Sequence, residues 1–163
     1  MAKKENKTNA MRILDRNKVA YRVKTYECDE FIDGVHIADM NGDPYDQSFK
    51  TLVTVGKTGN YYVFVIPIDC EIDMKKAARE VGEKSIEMLP VKDIQAVTGY
   101  IRGGCTPLGM KKLYPTVIQE SAKQFEEIII SGGKLGVQIL LNPLDLAKVV
   151  NGKFSDILAE MEK

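Results

Sequence analysis

Histidine is nearly missing from this sequence: His36 is the only one among 163 residues, and three cysteines, Cys28, Cys70 and Cys105, lie far apart with no C-x-x-C pair. A structural zinc site therefore lacks its usual ligands, and an odd number of scattered thiols reads as reduced cysteine rather than a disulfide framework. Net charge is missing too, since 23 Lys and Arg balance 23 Asp and Glu. No global field draws the chain to nucleic acid or membrane, so any polyanionic partner must be held by local patches. The longest apolar run, residues 61–68, is far too short to span a bilayer. The basic, polar start (Met1-Ala2-Lys3-Lys4-Glu5-Asn6-Lys7-Thr8) runs into an amphipathic pattern rather than an apolar signal core, so a cytoplasmic protein is expected. With no internal repeat or low-complexity linker, one domain over residues 1–163 is expected.

What the chain does have is glycine at two corners. Gly99-Tyr100-Ile101-Arg102-Gly103-Gly104-Cys105-Thr106-Pro107-Leu108-Gly109 sets four glycines and a proline close together, which excludes regular helix or strand and predicts a shaped loop. Pro107 also pushes Thr106 toward extended geometry. A second corner, Ser131-Gly132-Gly133-Lys134, is a candidate to face it. Neither has the G-x-x-x-x-G-K-[ST] order of a phosphate-binding loop or the G-x-G-x-x-G of a dinucleotide fold, which argues against nucleotide triphosphate chemistry. Free N–H groups at Gly103 and Gly104 could hydrogen-bond a carbonyl oxygen as it becomes an oxyanion, but a plain tight turn accounts for the glycines equally well.

The pattern along the chain predicts interspersed helices and hairpins. Thr8 or Asn9 caps a helix carrying Met11 and Leu14, and residues 21–26 alternate as a strand. A long connection follows, with a helical turn at residues 35–40 ended by Asn41-Gly42. Residues 49–55 and 61–66, rich in β-branched and aromatic side chains and joined by Gly56-Lys57-Thr58-Gly59-Asn60, form the strongest hairpin signal. Asp73 caps a helix stopped by Gly82, residues 85–88 read as a short strand, and Pro90 opens a helix with Val91, Ile94 and Val97 on one face. Strands are expected at 116–118 and 127–131, a helical turn at 121–125, a second hairpin into 135–141, and a last helix from Asn142-Pro143 to Asn151-Gly152. The expected class is α+β, with a mixed curved β-sheet or partial barrel and surrounding helices.

Lys50 lies between Phe49 and Leu52, Val53 and Val55; with its stem buried, its ammonium could hold a carbonyl, carboxylate or phosphate, although a snorkelling strand lysine fits the same pattern. Cys105 and His36 could form a nucleophile and base only if folding joins them, and no orienting acid is indicated. Asp145 reads as a carboxylate answering a helix dipole. Lys75, Lys76 and Arg79, with Lys111 and Lys112, are the best basic clusters, solvated faces by default and phosphate grips at most.

Taken together, Ser48-Phe49-Lys50-Thr51-Leu52, Gly99-Tyr100 with Gly103-Gly104-Cys105-Thr106-Pro107-Leu108-Gly109, and Ser131-Gly132-Gly133-Lys134 closely resemble the YbaK/EbsC family of free-standing Cys-tRNA(Pro) deacylases, relatives of the editing domain of bacterial prolyl-tRNA synthetases. The likeness runs from the first helix and Lys24-Thr25-Tyr26 to Asp145-Leu146-Ala147-Lys148. It implies hydrolysis of the ester joining a mischarged amino acid to the tRNA 3′ end, without a cofactor or metal. Lys50 is then the catalytic residue. Tyr26 and Ser131 hold the aminoacyl-adenosine end, Gly103 and Gly104 present backbone donors, and Thr106 and Gly132 complete the substrate contacts. The substrate's own thiol is the nucleophile expected in cysteine-specific members. Thr106 replaces a serine of many members while keeping the hydroxyl, and Leu135 replaces an arginine of several, removing a phosphate contact beside Ser131. Weak intrinsic tRNA binding makes prolyl-tRNA synthetase an expected partner.

Overall fold

A hairpin whose second strand is buried on both faces builds the centre of the molecule. The computed structural model describes residues 7–160, so the basic stretch Met1-Ala2-Lys3-Lys4-Glu5-Asn6 lies outside the described residues. Strands β2 (Phe49–Gly56) and β3 (Tyr61–Pro67) form the expected hairpin, with Lys50 opposite Ile66 and Val53 opposite Val63. Along β3, Tyr62, Phe64 and Ile66 enter one hydrophobic cluster with Ala77 and Ala78, while Val65 enters another with Leu14, Phe49 and Ile118. A strand covered on both faces explains the unbroken apolar run of this segment.

Local capping sets the helices. Thr8 accepts from the Met11 N–H to start α1 (Asn9–Arg16). Asp33 caps α2 (Gly34–Asn41), which ends on the left-handed Gly42. Asp73 accepts from the N–H groups of Lys75 and Lys76 to open α3 (Met74–Val81), again closed by a left-handed glycine, Gly82. Small Ala77 and Ala78 let α3 approach the sheet closely. Pro90 precedes α4 (Val91–Thr98), and Asn142 caps α5 (Pro143–Val150), whose left-handed C-cap is Asn151 rather than Gly152.

Five strands stand in the order β4 (Ile86–Met88), β2, β3, β5 (Thr116–Gln119) and β8 (Lys153–Ser155). The pairings β3–β5 and β5–β8 are parallel, so the sheet is mixed. A three-stranded antiparallel sheet has the order β1 (Tyr21–Thr25), β7 (Val137–Leu141), β6 (Ile128–Ser131). One parallel bridge, Ser48 to Ile129, joins the two sheets at the start of β2 without closing a barrel. That junction brings Lys50, the 131–134 corner and the 99–109 loop to one side of the molecule. No described helix is long and apolar enough to cross a membrane.

Candidate active site

The cavity opens where the two sheets meet. It encloses about 600 Å³ and is lined by Ser48, by β2 at Lys50 and Thr51, by α2, by the start of α4, by the 99–109 loop and by β6 and β7. That size lies within the range of about 300–1,000 Å³ usual for small-molecule sites. Four of the residues expected at a site meet here: Lys50, Tyr26, Gly103 and Ser131. They come from β2, the end of β1, the glycine loop and β6, so only the tertiary fold unites them.

Lys50 is half-buried on the cavity wall and takes part in no ion pair among the described residues. Asp33, a carboxylate on the same lining, is already engaged. It accepts from the His36 N–H at 3.0 Å and lies 2.6 Å from His36 Nδ1, and these hydrogen bonds hold it below the usual carboxylate range. Tyr26 is raised above an ordinary phenol chiefly by burial and remains a hydrogen-bond donor. Its own N–H donates to the Gly136 carbonyl at 2.9 Å, which ties β1 to the turn before β7.

The glycine loop is pinned from within. Tyr100, buried, donates its hydroxyl to the Leu108 carbonyl at 2.6 Å, and burial pushes its phenol up to about 12, so it keeps the proton. Ser131 Oγ donates to the Gly103 carbonyl at 3.2 Å and links the loop to β6. Gly103 has φ +88°, and a Cβ there would stand 2.7 Å from Leu135 Cδ2 and 3.2 Å from Phe31 Cδ1. Both the conformation and the contact require glycine.

Gly104 needs correction as a free donor. Its N–H donates to the Ile101 carbonyl at 3.0 Å and closes the turn, leaving Gly103 as the member of the pair whose N–H has no backbone partner among the described residues. Gly104 instead permits close approach: a Cβ would lie 2.8 Å from the Lys134 Cα, so the two glycine corners do pack face to face. Gly132, Gly104 and Thr106 do not line the cavity. The Gly132 N–H donates to the Val137 carbonyl at 2.8 Å within the hairpin, and Thr106 is fully buried, its hydroxyl without a partner among the described residues. These three frame the wall rather than touch its interior.

Cys105 lines the cavity, but burial pushes its thiol up to about 11, which leaves it protonated near neutral pH. His36 is exposed, bound to Asp33 and off the lining, so no thiol and imidazole pair forms. Reading the sequence alone missed four lining residues. Gln138 is buried in β7, with its Oε1 3.5 Å from Asn41 Nδ2. Thr51 has a buried hydroxyl without a partner among the described residues. Phe31 and Arg102 stack at the rim, the guanidinium carbon 3.9 Å from the ring centroid. Thr51 stood next to Lys50 and Arg102 next to Gly103, the only signals that could have found them.

Fold and lining together give an α+β scaffold whose cavity brings Lys50, Tyr26, Gly103 and Ser131 together, with Cys105 and His36 apart among the described residues. The chain belongs to the aminoacyl-tRNA editing domain family, which matches residues 35–149. It is 46% identical over 162 residues, 96% of this chain and 98% of the relative, to the Enterococcus faecalis protein named "Putative Cys-tRNA(Pro)/Cys-tRNA(Cys) deacylase EbsC". Among solved structures, "a putative trans-editing enzyme for prolyl tRNA synthetase" is similar with a TM-score of 0.80 and 21% identity, over 96% of this chain and 100% of that one. "Hypothetical protein APE2540" is similar with a TM-score of 0.85 and 16% identity, over 93% and 99%. At these identities the two structural likenesses concern the fold.

Proposed function

We propose that this protein is a trans-editing deacylase that cleaves the ester between a mischarged amino acid and the tRNA 3′ end, with Cys-tRNA(Pro) as its foremost substrate and Cys-tRNA(Cys) as a second. The observation that carries this reading is one cavity uniting Lys50 and Gly103 while Cys105 is protonated and His36 is turned away. An aminoacyl ester is already activated, so holding it and stabilising its developing oxyanion suffices. Lys50 is the catalytic residue, facing the carbonyl oxygen, and the Gly103 N–H is the second donor. Tyr26 and Ser131 hold the adenosine end, while Gly104, Thr106 and Gly132 keep the wall in shape. With a cysteinyl ester the substrate's sulfur attacks its own carbonyl. The C–S bond forms, the ester C–O bond breaks, and the thiol proton ends on the freed ribose hydroxyl; water then opens the thiolactone to cysteine. No cofactor enters this scheme. The whole chain acts as one domain, in the cytoplasm where tRNA is charged, and prolyl-tRNA synthetase presents the substrate.

Incubation with Cys-tRNA(Pro), Ala-tRNA(Pro) and correctly charged Pro-tRNA(Pro) tests the reading. Faster ester loss from Cys-tRNA(Pro) than from the control is expected. Unchanged ester loss on every substrate overturns it, and saturable binding without turnover makes the protein a tRNA-end-binding module instead.

A further inference from the structure

Arg102 is not needed for the chemistry just described, yet it lines the cavity and rests on another lining side chain. Its guanidinium carbon lies over the Phe31 ring, 3.9 Å from the ring centroid. The same Phe31 ring packs into the space beside Gly103, where a Cβ would come within 3.2 Å of it. Phe31 is itself 42% exposed, so this stack forms the mouth of the cavity rather than part of the core. Two more exposed apolar side chains, Met88 and Val91, also line the cavity. Arg102 makes no ion pair among the described residues.

We propose that Arg102, braced on Phe31, is the phosphate contact that holds the polynucleotide as it leaves the cavity, and so makes the preferred ligand a nucleotide chain rather than a free aminoacyl ester. The proposal rests on the deacylase reading, because it takes the aminoacyl end to be inside with Lys50. Stacking uses the face of the guanidinium and leaves its edge N–H groups free, the arrangement that suits a phosphate oxygen. A held side chain also loses little rotamer freedom on binding. With the ester inside, the first charge outside is the phosphodiester on the 5′ side of the terminal nucleoside, and apolar Met88 and Val91 suit the faces of bases rather than a carboxylate-rich protein surface. In a chain without net charge, one such rim cation supplies a large share of the local attraction.

The test compares wild type, Arg102→Ala, Arg102→Lys and Phe31→Leu on Cys-tRNA(Pro) and on cysteine ethyl ester, which has neither phosphate nor base. For Arg102→Ala we expect a rise in KM for the tRNA of about tenfold, at least several times any loss on the ethyl ester. The slope of log affinity against log salt should fall by about one. Arg102→Lys should recover part of the affinity by charge alone, and Phe31→Leu should mimic a partial loss. Equal losses on both substrates, or an unchanged salt slope, overturn the proposal. Binding of the trinucleotide CCA and of adenosine keeps the outcome separate from the deacylase reading: if no variant cleaves any ester, that reading falls, while Arg102→Ala must still abolish the preference for the trinucleotide or the phosphate contact falls too.

Discussion

Lys50 and Cys105 share a cavity but differ in what burial does to them. Lys50 lines the cavity, half-buried, and takes part in no ion pair among the described residues, so in the proposed reaction its removal would delete a charge facing the developing oxyanion without opening the core. Lys50→Ala should therefore slow Cys-tRNA(Pro) deacylation by about 10²-fold or more while the thermal midpoint stays close to wild type. A variant within a few-fold of wild-type rate would remove Lys50 from the chemistry. The Cys105 thiol, at about 11, carries almost no thiolate at neutral pH. Cys105→Ala should keep deacylation within about fivefold, the scale of a modest packing loss. Alkylation of Cys105 by iodoacetamide should be slow at pH 7.5 and accelerate as pH climbs toward 11. A loss of two orders of magnitude in a folded Cys105→Ala protein would make the thiol a participant. At this scale the sequence was half legible. The company of Phe49 and Leu52 marked Lys50 as placed in an apolar strand, and the glycines marked a shaped wall. Gln138, Phe31 and Arg102 escaped notice because a buried amide or a stacked arginine has no local pattern; each acquires its meaning from a partner distant in sequence.

Between elements, one carboxylate couples α3 to the central hairpin. The left-handed Gly82 ends α3 and turns the chain so that Glu83 reaches the β2–β3 turn. There Glu83 accepts from the Thr58 hydroxyl, from the Tyr62 hydroxyl at 2.6 Å and from the Thr58 N–H at 3.3 Å. These donors, the Thr58 hydroxyl first, hold its pKa below the ordinary glutamate value. A carboxylate depressed in the folded state stabilises the protein above its unfolded pKa of about 4.3, and the stabilisation disappears as pH falls through the lower folded value. The difference in urea midpoint between wild type and Glu83→Gln should thus be largest at pH 6 and shrink toward pH 3. A difference that does not vary with pH would exclude the ionised carboxylate as the cause. Gly56 belongs to the same joint, since a Cβ there would lie 2.3 Å from the Glu83 carboxyl carbon. Gly56→Ala should push Glu83 off both hydroxyls and cost about 1–3 kcal/mol, read as a lowered urea midpoint. Caps such as Asp73, Gly82 and Asn142 were legible because a cap is set by its neighbours in sequence. The parallel pairing of β8 with β5, and the placement of β1 against β7, were not, because strands so far apart carry no shared local signal.

For the molecule as a whole, zero net charge governs how it meets a polyanion. The basic residues of α3 are in part already used: Lys76 approaches Asp156 at 3.4 Å and donates to the Leu158 carbonyl at 2.9 Å. On the proposed reading, local cations such as Lys50 and Arg102 would supply the attraction for tRNA, each screened beyond about 10 Å at 0.1 M salt. Free tRNA should bind weakly and lose affinity steeply as salt rises. In the proposed presentation in trans, a synthetase that already holds the same tRNA would change this balance, because the mischarged end would meet the cavity at a high local concentration without any new contact to the anticodon or the fold of the tRNA. At Cys-tRNA(Pro) well below its KM, adding catalytically inactive prolyl-tRNA synthetase should raise the deacylation rate by about an order of magnitude, and the gain should grow as salt weakens binding of the free tRNA. The inactive synthetase keeps recharging from obscuring the measurement, and a non-cognate synthetase serves as the control. If synthetase only sequesters the substrate and slows ester loss, presentation in trans fails as a mechanism, and the protein must capture its tRNA from solution through its own few charges.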